Sequence, residues 1–214
     1  MANRFLEIAA TPGVKAAQAA NGSRHAYARL EGGATTNDRL GPAEAAFIAA
    51  RDSLYMATVS ETGWPYLQHR GGPAGFVRIL DERTLGLADF RGNRQYVSLG
   101  NLGADDRAAL FLMDYPNRRR LKMFARVEAR DLATDPAFAA LLATPDAKVV
   151  PERGFVFHVE AFDWNCPQHI TPRFTEAEVA AAVRPLRARL AAIEAENETL
   201  KRQLASAPNG TSDR

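Results

Sequence analysis

Two arginines that could bind an anion, Arg91 and Arg94, lie on either side of Gly92 in the segment LGLADFRGNRQYVSLGNL, residues 85–102. An apolar run ending at Phe90 precedes Arg91-Gly92-Asn93-Arg94-Gln95, and a helix-like apolar pattern runs from there to Leu102. Backbone N–H groups at the start of a helix are unpaired and attract anions. A guanidinium binds a phosphate through two parallel hydrogen bonds. The segment therefore predicts a phosphate clamp, and a solvated turn with two surface arginines is the alternative.

Two further groups contain reactive or strongly charged side chains. Cys166 and His169 lie close together, but a reactive thiolate needs a cationic neighbour and two donors are too few for a metal site. The run 118–120 is all arginine and precedes a strand-like pattern. It is either a solvated turn or a source of one inward-pointing arginine, and it is too short to indicate nucleic-acid binding.

Short apolar patterns separated by Gly and Pro turns predict the elements that position these residues. Predicted strands span 54–60, 66–70, 76–80, 85–89, 108–113, 121–127 and 155–162, and predicted helices span 41–51, 94–102 and 135–142. Along the last strand, one face carries Phe155, Phe157, Val159 and Ala161. Six or seven short strands with inserted helices favour a mostly β, α+β barrel over a parallel α/β sheet.

The regions before and after these strands differ from them in composition. Residues 1–40 are rich in Ala and Gly, with a short helix over 4–10 that ends at Thr11-Pro12-Gly13, and we expect them to wrap the main domain of residues 41–172. Residues 173–205 contain strong helix formers, and residues 206–214 are expected to be disordered. Thr175 and Glu178 form a capping box at the start of the helix.

The predicted C-terminal helix has a coiled-coil pattern. Apolar residues at the a and d positions repeat in steps of four and three: Val179, Val183, Leu186, Leu190, Ile193, Leu200 and Leu204. Asn197 at an a position favours a parallel, in-register pair. The seam from Leu186 to Leu204 is short and follows Pro185, which should kink the helix. A parallel dimer and a single amphipathic helix folded back on its own domain therefore both remain open.

Composition excludes several classes of protein. The 214 residues are 46% hydrophobic and 24% charged with a net charge of +2, which is typical of a globular protein and gives no sign of a nucleic-acid partner. The single cysteine excludes an internal disulfide and a multi-cysteine metal site. No apolar run has the length of a secretory signal or a membrane span. A cytoplasmic location is expected.

Three blocks in order resemble the pyridoxamine 5′-phosphate oxidase-like flavoproteins: MATVSETGWPYLQHRGG, LGLADFRGNRQYVSLGNL and LFLMDYPNRRRLKMFARVEA. A fourth, FDWNCPQHITPR, lies where that family ends its last strand, and the resemblance covers roughly residues 45–172. It implies an antiparallel split β-barrel that binds FMN in a groove between the two subunits of a homodimer.

The resemblance also implies cofactor-binding residues. The second block places Asn93, Arg94 and Gln95 at the FMN phosphate, and Asp89, at the end of the strand in that block, near a ribityl hydroxyl. Arg120 corresponds to a position that reaches FMN from the other subunit. The remaining positions lie along the flavin ring: Gln68, His69 and Arg70 on the returning strand of the first hairpin, and Trp164 and Asn165 after the last strand.

Two departures from the family separate this chain from true pyridoxamine phosphate oxidases. Ile170-Thr171-Pro172 stands where those enzymes carry an Arg-x-His pair for the substrate phosphate, and Gln68 replaces an arginine. The resemblance thus implies an FMN-dependent oxidoreductase that transfers hydride or electrons through flavin N5, with an unassigned small-molecule substrate. No residue stands out as a catalytic acid or base, so none is named. Alternatives are a non-enzymatic flavin-binding carrier or sensor, and an interaction protein that binds no ligand or another one, such as haem or a deazaflavin.

Overall fold

The computed structural model describes residues 2–32, 34–144, 151–164 and 166–206. Contacts divide the chain into two units, residues 1–170 and residues 171–214. The first unit contains the sheet and the short helices, and the second contains one long helix. Of the tail predicted to be disordered, Ser206 ends that helix and residues 207–214 lie outside the described residues.

A seven-stranded antiparallel sheet forms the split barrel of the first unit, in the strand order β4-β3-β7-β8-β9-β6-β5. This confirms the predicted fold class and every predicted strand. The strands of the sheet are β3 Ser53–Val59, β4 Pro65–Gly71, β5 Val77–Asp81, β6 Thr84–Phe90, β7 Arg107–Asp114, β8 Arg119–Arg130 and β9 Pro151–Trp164. Two further strands, β1 Ala2–Asn3 and β2 Thr35–Thr36, pair in parallel.

Seven helices are described: α1 Arg4–Ala9, α2 Pro12–Ala20, α3 Arg24–Ala28, α4 Pro42–Ala49, α5 Val97–Ala104, α6 Pro136–Leu142 and α7 Glu176–Ser206. Proline stands in the first turn of α4 and α6, where its missing N–H costs no hydrogen bond. The break at residues 11–13 ends α1 but also begins α2, because Thr11 caps the N–H of Val14 at 3.4 Å. The sequence analysis did not predict α2 or α3.

Segments of the first 40 residues lie against the sheet. The Phe5 ring of α1 stacks on Phe124 of β8, with 4.4 Å between the ring centroids. The Leu40 N–H donates to the Glu82 carbonyl at 2.7 Å, and the Phe162 N–H donates to the Asn37 carbonyl at 2.8 Å. These contacts place the N-terminal segment beside β8, β9 and the turn between β5 and β6.

The core has two parts because β9 is buried on both faces near its start. Phe155 and Phe157 belong to the larger cluster with Leu54 and Leu121, whereas Val156 packs with Phe138 and Leu142 of α6 in a second cluster. Burying an aliphatic or aromatic side chain of this size stabilises the fold by about 1.5–3 kcal/mol. The helix α6 therefore covers a face of β9 that simple alternation would expose.

A bulge in β9 corrects the predicted alternation of its last residues. Phe124 pairs with Ala161 and Ala125 pairs with Val159, so Glu160 is an extra residue in β9. An extra residue moves all later side chains to the opposite face. Accordingly Phe162, rather than Ala161, joins Phe157 in the larger core cluster.

Candidate functional site

One cavity of about 320 Å³ gathers most of the predicted cofactor-binding residues. Its walls are β4, the end of β6, the segment 91–96 and the start of α5, and its apolar floor includes Phe76 and Leu87. We call it the β4–β6 cavity. The predicted residues that line it are Gln68, His69, Arg70, Asp89, Asn93, Arg94 and Gln95.

Asp89 connects two arginines at the inner end of this cavity. Its Oδ1 lies 2.5 Å from Arg70 Nη1, and its Oδ2 lies 2.8 Å from Arg153 Nη1. The three side chains are between 11% and 19% exposed, so the ion pairs are poorly screened by water. Arg153 was not predicted as a site residue, because the predicted last strand began at Phe155. Asp89 and Arg153 are directly paired residues of β6 and β9.

Arg70 has one donor that the described residues leave unsatisfied. Its Nη1 and Nη2 bond to Asp89 and to Gln68 Oε1, but its buried Nε has no hydrogen-bond partner among the described residues. The guanidinium carbon lies 4.9 Å from the centre of the Phe155 ring. A buried N–H without a partner is costly, so this donor suits an acceptor supplied by a ligand.

Gln68 is held by the helix that follows the loop. Its Oε1 accepts from Ser98 Oγ at 2.9 Å, and Ser98 is buried in the first turn of α5. Asn101 in the next turn donates to Thr58 Oγ1 of β3 at 3.0 Å. These bonds fix α5 against β3 and β4, and they orient the amide of Gln68 at the cavity wall.

The loop before α5 differs from the prediction of a helix starting at Arg94. The helix begins at Val97, because Arg94 and Tyr96 have φ angles of 61° and 51°, in the left-handed region that an α-helix excludes. The predicted phosphate clamp is therefore a loop with unusual backbone angles rather than the first turn of a helix. Asn93 stabilises this loop by accepting the N–H of Gln95 at 3.1 Å.

Tyr96 connects the loop to the start of β9. Arg94 Nε donates to the Tyr96 hydroxyl at 3.4 Å, and the hydroxyl donates to Glu152 Oε1 at 3.1 Å. The hydrogen bond to Tyr96 raises the pKa of the Arg94 guanidinium. Glu152 also lies 3.6 Å from Arg91 Nε, and Arg153 lies over the Tyr96 ring at 5.0 Å. Sequence reasoning missed Ser98, Glu152 and Arg153, and no local pattern marks them.

His69 lies at the rim of the cavity. It is exposed on β4, and its ring meets the Tyr55 ring edge-on at a centroid distance of 5.6 Å. Tyr55 and His69 are paired residues of β3 and β4. His69 is therefore exposed to solvent, and its side chain lies on the opposite face of β4 from those of Gln68 and Arg70.

The other predicted site residues lie elsewhere. Trp164 packs edge-on against Phe47 at 4.8 Å and donates its indole N–H to Glu44 Oε1 at 2.8 Å. Arg120 lies on β8 with its guanidinium 5.7 Å from the Phe111 ring. Neither residue lines the β4–β6 cavity. Asn165 lies outside the described residues.

Three arginines and two carboxylates line the cavity, namely Arg70, Arg91, Arg94, Asp89 and Glu152. This set of charges suits a ligand with an anionic group and hydrogen-bond acceptors.

The described residues include no group of three or more His, Cys, Asp or Glu side chains placed to hold a metal ion. Within the described part of the chain, no helix is long and apolar enough to cross a membrane.

The chain is thus an antiparallel split β-barrel with an arginine-lined cavity. Comparison of its sequence with protein families gives the family. The pyridoxamine 5′-phosphate oxidase family model matches residues 40–159, more than half of the chain. The chain therefore belongs to this family. No curated protein matches it.

Solved structures that match include HupZ from Group A Streptococcus, at 14% identity and a TM-score of 0.44 over 63% of this chain and 100% of that chain. An FMN-binding protein from Syntrophomonas wolfei matches at 14% identity and 0.45, over 57% and 83% of the two chains. A protein of Clostridium acetobutylicum, related to general stress protein 26 and assigned to the pyridoxinephosphate oxidase family, matches at 15% and 0.41, over 63% and 92%.

Proposed function

We propose that this chain binds FMN in the β4–β6 cavity and acts, as a homodimer, as an FMN-dependent oxidoreductase. The observation that carries the proposal is the arginine network around Asp89, next to a loop with two further arginines. A dianionic phosphate matches this charge, and guanidinium groups bind phosphate with two parallel hydrogen bonds.

The residues present fit such a group in two respects. The Arg70 Nε donor is buried and lacks a partner among the described residues, so a ligand oxygen would satisfy it. Arg91 and Arg94 are exposed on the loop, where they can reach an incoming anion. Gln95 stands where the family has a lysine, so phosphate binding depends on the arginines. Asp89 keeps Arg70 and Arg153 in place while the phosphate binds.

When bound, FMN supplies hydride and electron transfer at N5, whereas the protein supplies orientation and electrostatics. Gln68, held by Ser98, presents a fixed amide for the polar edge of the ring. His69 at the cavity mouth and Arg70 within the cavity stabilise negative charge that develops there. The chain therefore contributes positioning and charge stabilisation, and we assign no acid or base.

The proposal includes a second copy of the chain, because Arg120 and Trp164 lie away from the β4–β6 cavity of their own subunit. Arg120 of one subunit then contacts the FMN held by the other, and Trp164 and Asn165 flank the ring. The substrate differs from pyridoxamine phosphate, because Ile170, Thr171 and Pro172 offer no cation for a second phosphate.

A flavin-binding sensor or carrier is the second candidate, and the exposed apolar residues of the C-terminal helix favour it. Reduction of the bound flavin separates the two functions. An oxidoreductase is reduced by NADH, NADPH or another added donor, and a carrier is not.

The experiment that tests the proposed site is a fluorescence titration of the flavin-free protein with FMN. The wild-type protein should quench FMN fluorescence, and Arg94→Ala should raise Kd at least about tenfold because a charge-assisted hydrogen bond is lost. Arg107→Ala is the matched control, since Arg107 is exposed, pairs with Asp105 and does not line the cavity. Equal Kd values for both variants would show that the loop does not hold the phosphate.

A further inference from the structure

The C-terminal helix α7 exposes an apolar stripe along its whole length. Six of the apolar a and d residues are between 38% and 76% exposed: Val179, Leu186, Leu190, Ile193, Leu200 and Leu204. The seventh, Val183, is half-buried. No residue of α7, all of which are described, is buried. Exposed apolar side chains in this regular arrangement are typical of a helix whose partner is a second helix.

The start of α7 is well defined. The Thr175 N–H donates to Glu178 Oε2 at 2.7 Å, and the Glu178 N–H donates to Thr175 Oγ1 at 3.2 Å. This reciprocal pair is a capping box, as the sequence predicted. The helix continues through Pro185 to Ser206. Pro185 cannot donate a helical hydrogen bond, so the uninterrupted part begins at Leu186.

Charges beside the stripe identify the partner as a second copy of the same helix. In a parallel pair, a g residue faces the e residue five positions later in the partner. Arg189 at g then meets Glu194 at e, and Glu196 at g meets Lys201 at e. Both pairs have opposite charges, so two copies of α7 complement each other.

Asn197 decides between the two possible orientations. In a parallel, in-register pair, each a residue meets the a residue of the partner, so the two asparagines face each other and can exchange hydrogen bonds. In an antiparallel pair, a faces d, and every d residue of α7 is apolar. Any antiparallel register would therefore bury an asparagine amide against Val179, Leu186, Ile193 or Leu200 without a polar partner.

We propose that α7 forms a parallel, in-register, two-stranded coiled coil with α7 of a second copy of this chain, over residues 186–204. This seam covers fewer than three heptads, and isolated helices of that length are marginally stable. The coiled coil therefore adds to a dimer that other surfaces hold together, and it brings the two C-termini side by side.

Disulfide trapping in the full-length chain tests this arrangement. In a Cys166→Ser background, Leu190→Cys places one thiol at an a position of each helix, and Ala195→Cys places it at the outward-facing f position as a matched control. Mild oxidation of dilute protein should cross-link the Leu190→Cys variant at least about tenfold faster than the control, as measured on a non-reducing gel. A parallel coil brings the two residues at 190 into one layer, whereas an antiparallel coil separates them. Equal rates would overturn the proposal.

A charge reversal followed by its compensating change tests the same arrangement, because a loss of stability in the single variant alone would not be reversed by the second substitution. In the Leu190→Cys protein, Arg189→Glu alone should slow cross-linking, because Glu then faces Glu194 of the partner helix. Adding Glu194→Arg restores the opposite-charge pair and should restore the rate. A double variant no faster than the single one would contradict the predicted g–e contact, whether or not the chain binds flavin.

Discussion

At the residue scale, Asp89 holds both Arg70 of the cavity and the neighbouring Arg153. Two guanidinium groups share its carboxylate, and all three side chains are mostly buried. Breaking a buried ion pair by removing one partner is costly because the remaining charge stays desolvated. Asp89 thus contributes to folding as well as to the electrostatics of the cavity.

We expect Asp89→Asn to lower the free energy of unfolding by about 1.5–3 kcal/mol, since two mostly buried arginines lose a charged hydrogen-bond partner. Urea denaturation monitored by circular dichroism measures this loss. Asp163→Asn is the control: Asp163 pairs with Lys122, and both side chains are about twice as exposed as the Asp89 network, at 27% and 31%. Equal destabilisation in the two variants would contradict a special role for Asp89.

Asp105 makes the free energy of unfolding depend on pH in the acidic range. Hydrogen bonds from Arg107 lower the pKa of Asp105 from 3.8 to about 2. A carboxylate whose pKa is lowered on folding stabilises the folded state fully above its ordinary pKa, and this contribution disappears as the pH falls from about 4 to about 2.

Asp105→Asn should therefore make stability less sensitive to pH between 4 and 2. The effect is small, because the pair is exposed to solvent and screened. The measurement is the shift in urea midpoint between pH 6 and pH 3 in the variant and in the wild-type protein. A variant whose midpoint shifts as far as that of the wild-type protein would argue against this contribution.

At the scale of elements, the packing of α6 on β9 depends on the absence of a side chain at Gly154. A Cβ atom there would lie 2.4 Å from Phe138 Cε1 and 2.8 Å from Leu142 Cδ1, both on α6. Real Cβ atoms do not approach other atoms so closely, so the Phe138 and Leu142 side chains, or the elements that carry them, would have to shift. Close packing of a helix on a strand thus requires glycine at this position.

Gly154→Ala should lower the free energy of unfolding by about 1–3 kcal/mol, through overpacking of this contact. Gly100→Ala is the control, since nothing lies within 4 Å of a Cβ at that helical position, and alanine is favoured over glycine in helices by about 1 kcal/mol. Thermal denaturation of both variants compares them directly. A Gly154→Ala variant as stable as the wild-type protein would show that α6 is free to shift.

At the scale of the whole molecule, the proposed dimer has two separate sources of contact, the barrel unit and α7. The residues from Met1 to Ile170 form one compact unit with its own core. The coiled coil proposed for α7 is short and depends on a pair that already exists. The barrel unit should therefore dimerise without it.

Deletion of residues 186–214 should leave a folded protein, because residues 186–206, the described part of that segment, contribute nothing to either core cluster. The shortened protein should still be a dimer, since the barrel unit is expected to pair by itself. Light scattering gives the mass, and circular dichroism reports whether the sheet is intact. If the shortened protein is folded but monomeric, α7 rather than the barrel holds the subunits together.

Local patterns were sufficient for the strands, for the capped helices and for the fold class. Short apolar runs between turn residues marked each strand of the sheet, and Pro42, Pro136 and the Thr175–Glu178 pair marked three helix starts, because apolar patterns and caps depend on residues close in sequence. The segment 85–102 also indicated where polar residues would gather. The start of α5 was placed three residues too early, since apolar spacing does not reveal the left-handed backbone of Arg94 and Tyr96.

The sequence by itself thus determined the family, the antiparallel barrel and most of the residues around the cavity. Only the tertiary structure decided how those residues are paired and held. Arg153 reaches Asp89 because the register of β6 and β9 pairs these two residues. The extra residue Glu160 moves the later side chains of β9 to the other face of the sheet. Strand register is set by the packing of the whole core, which no short window of sequence contains.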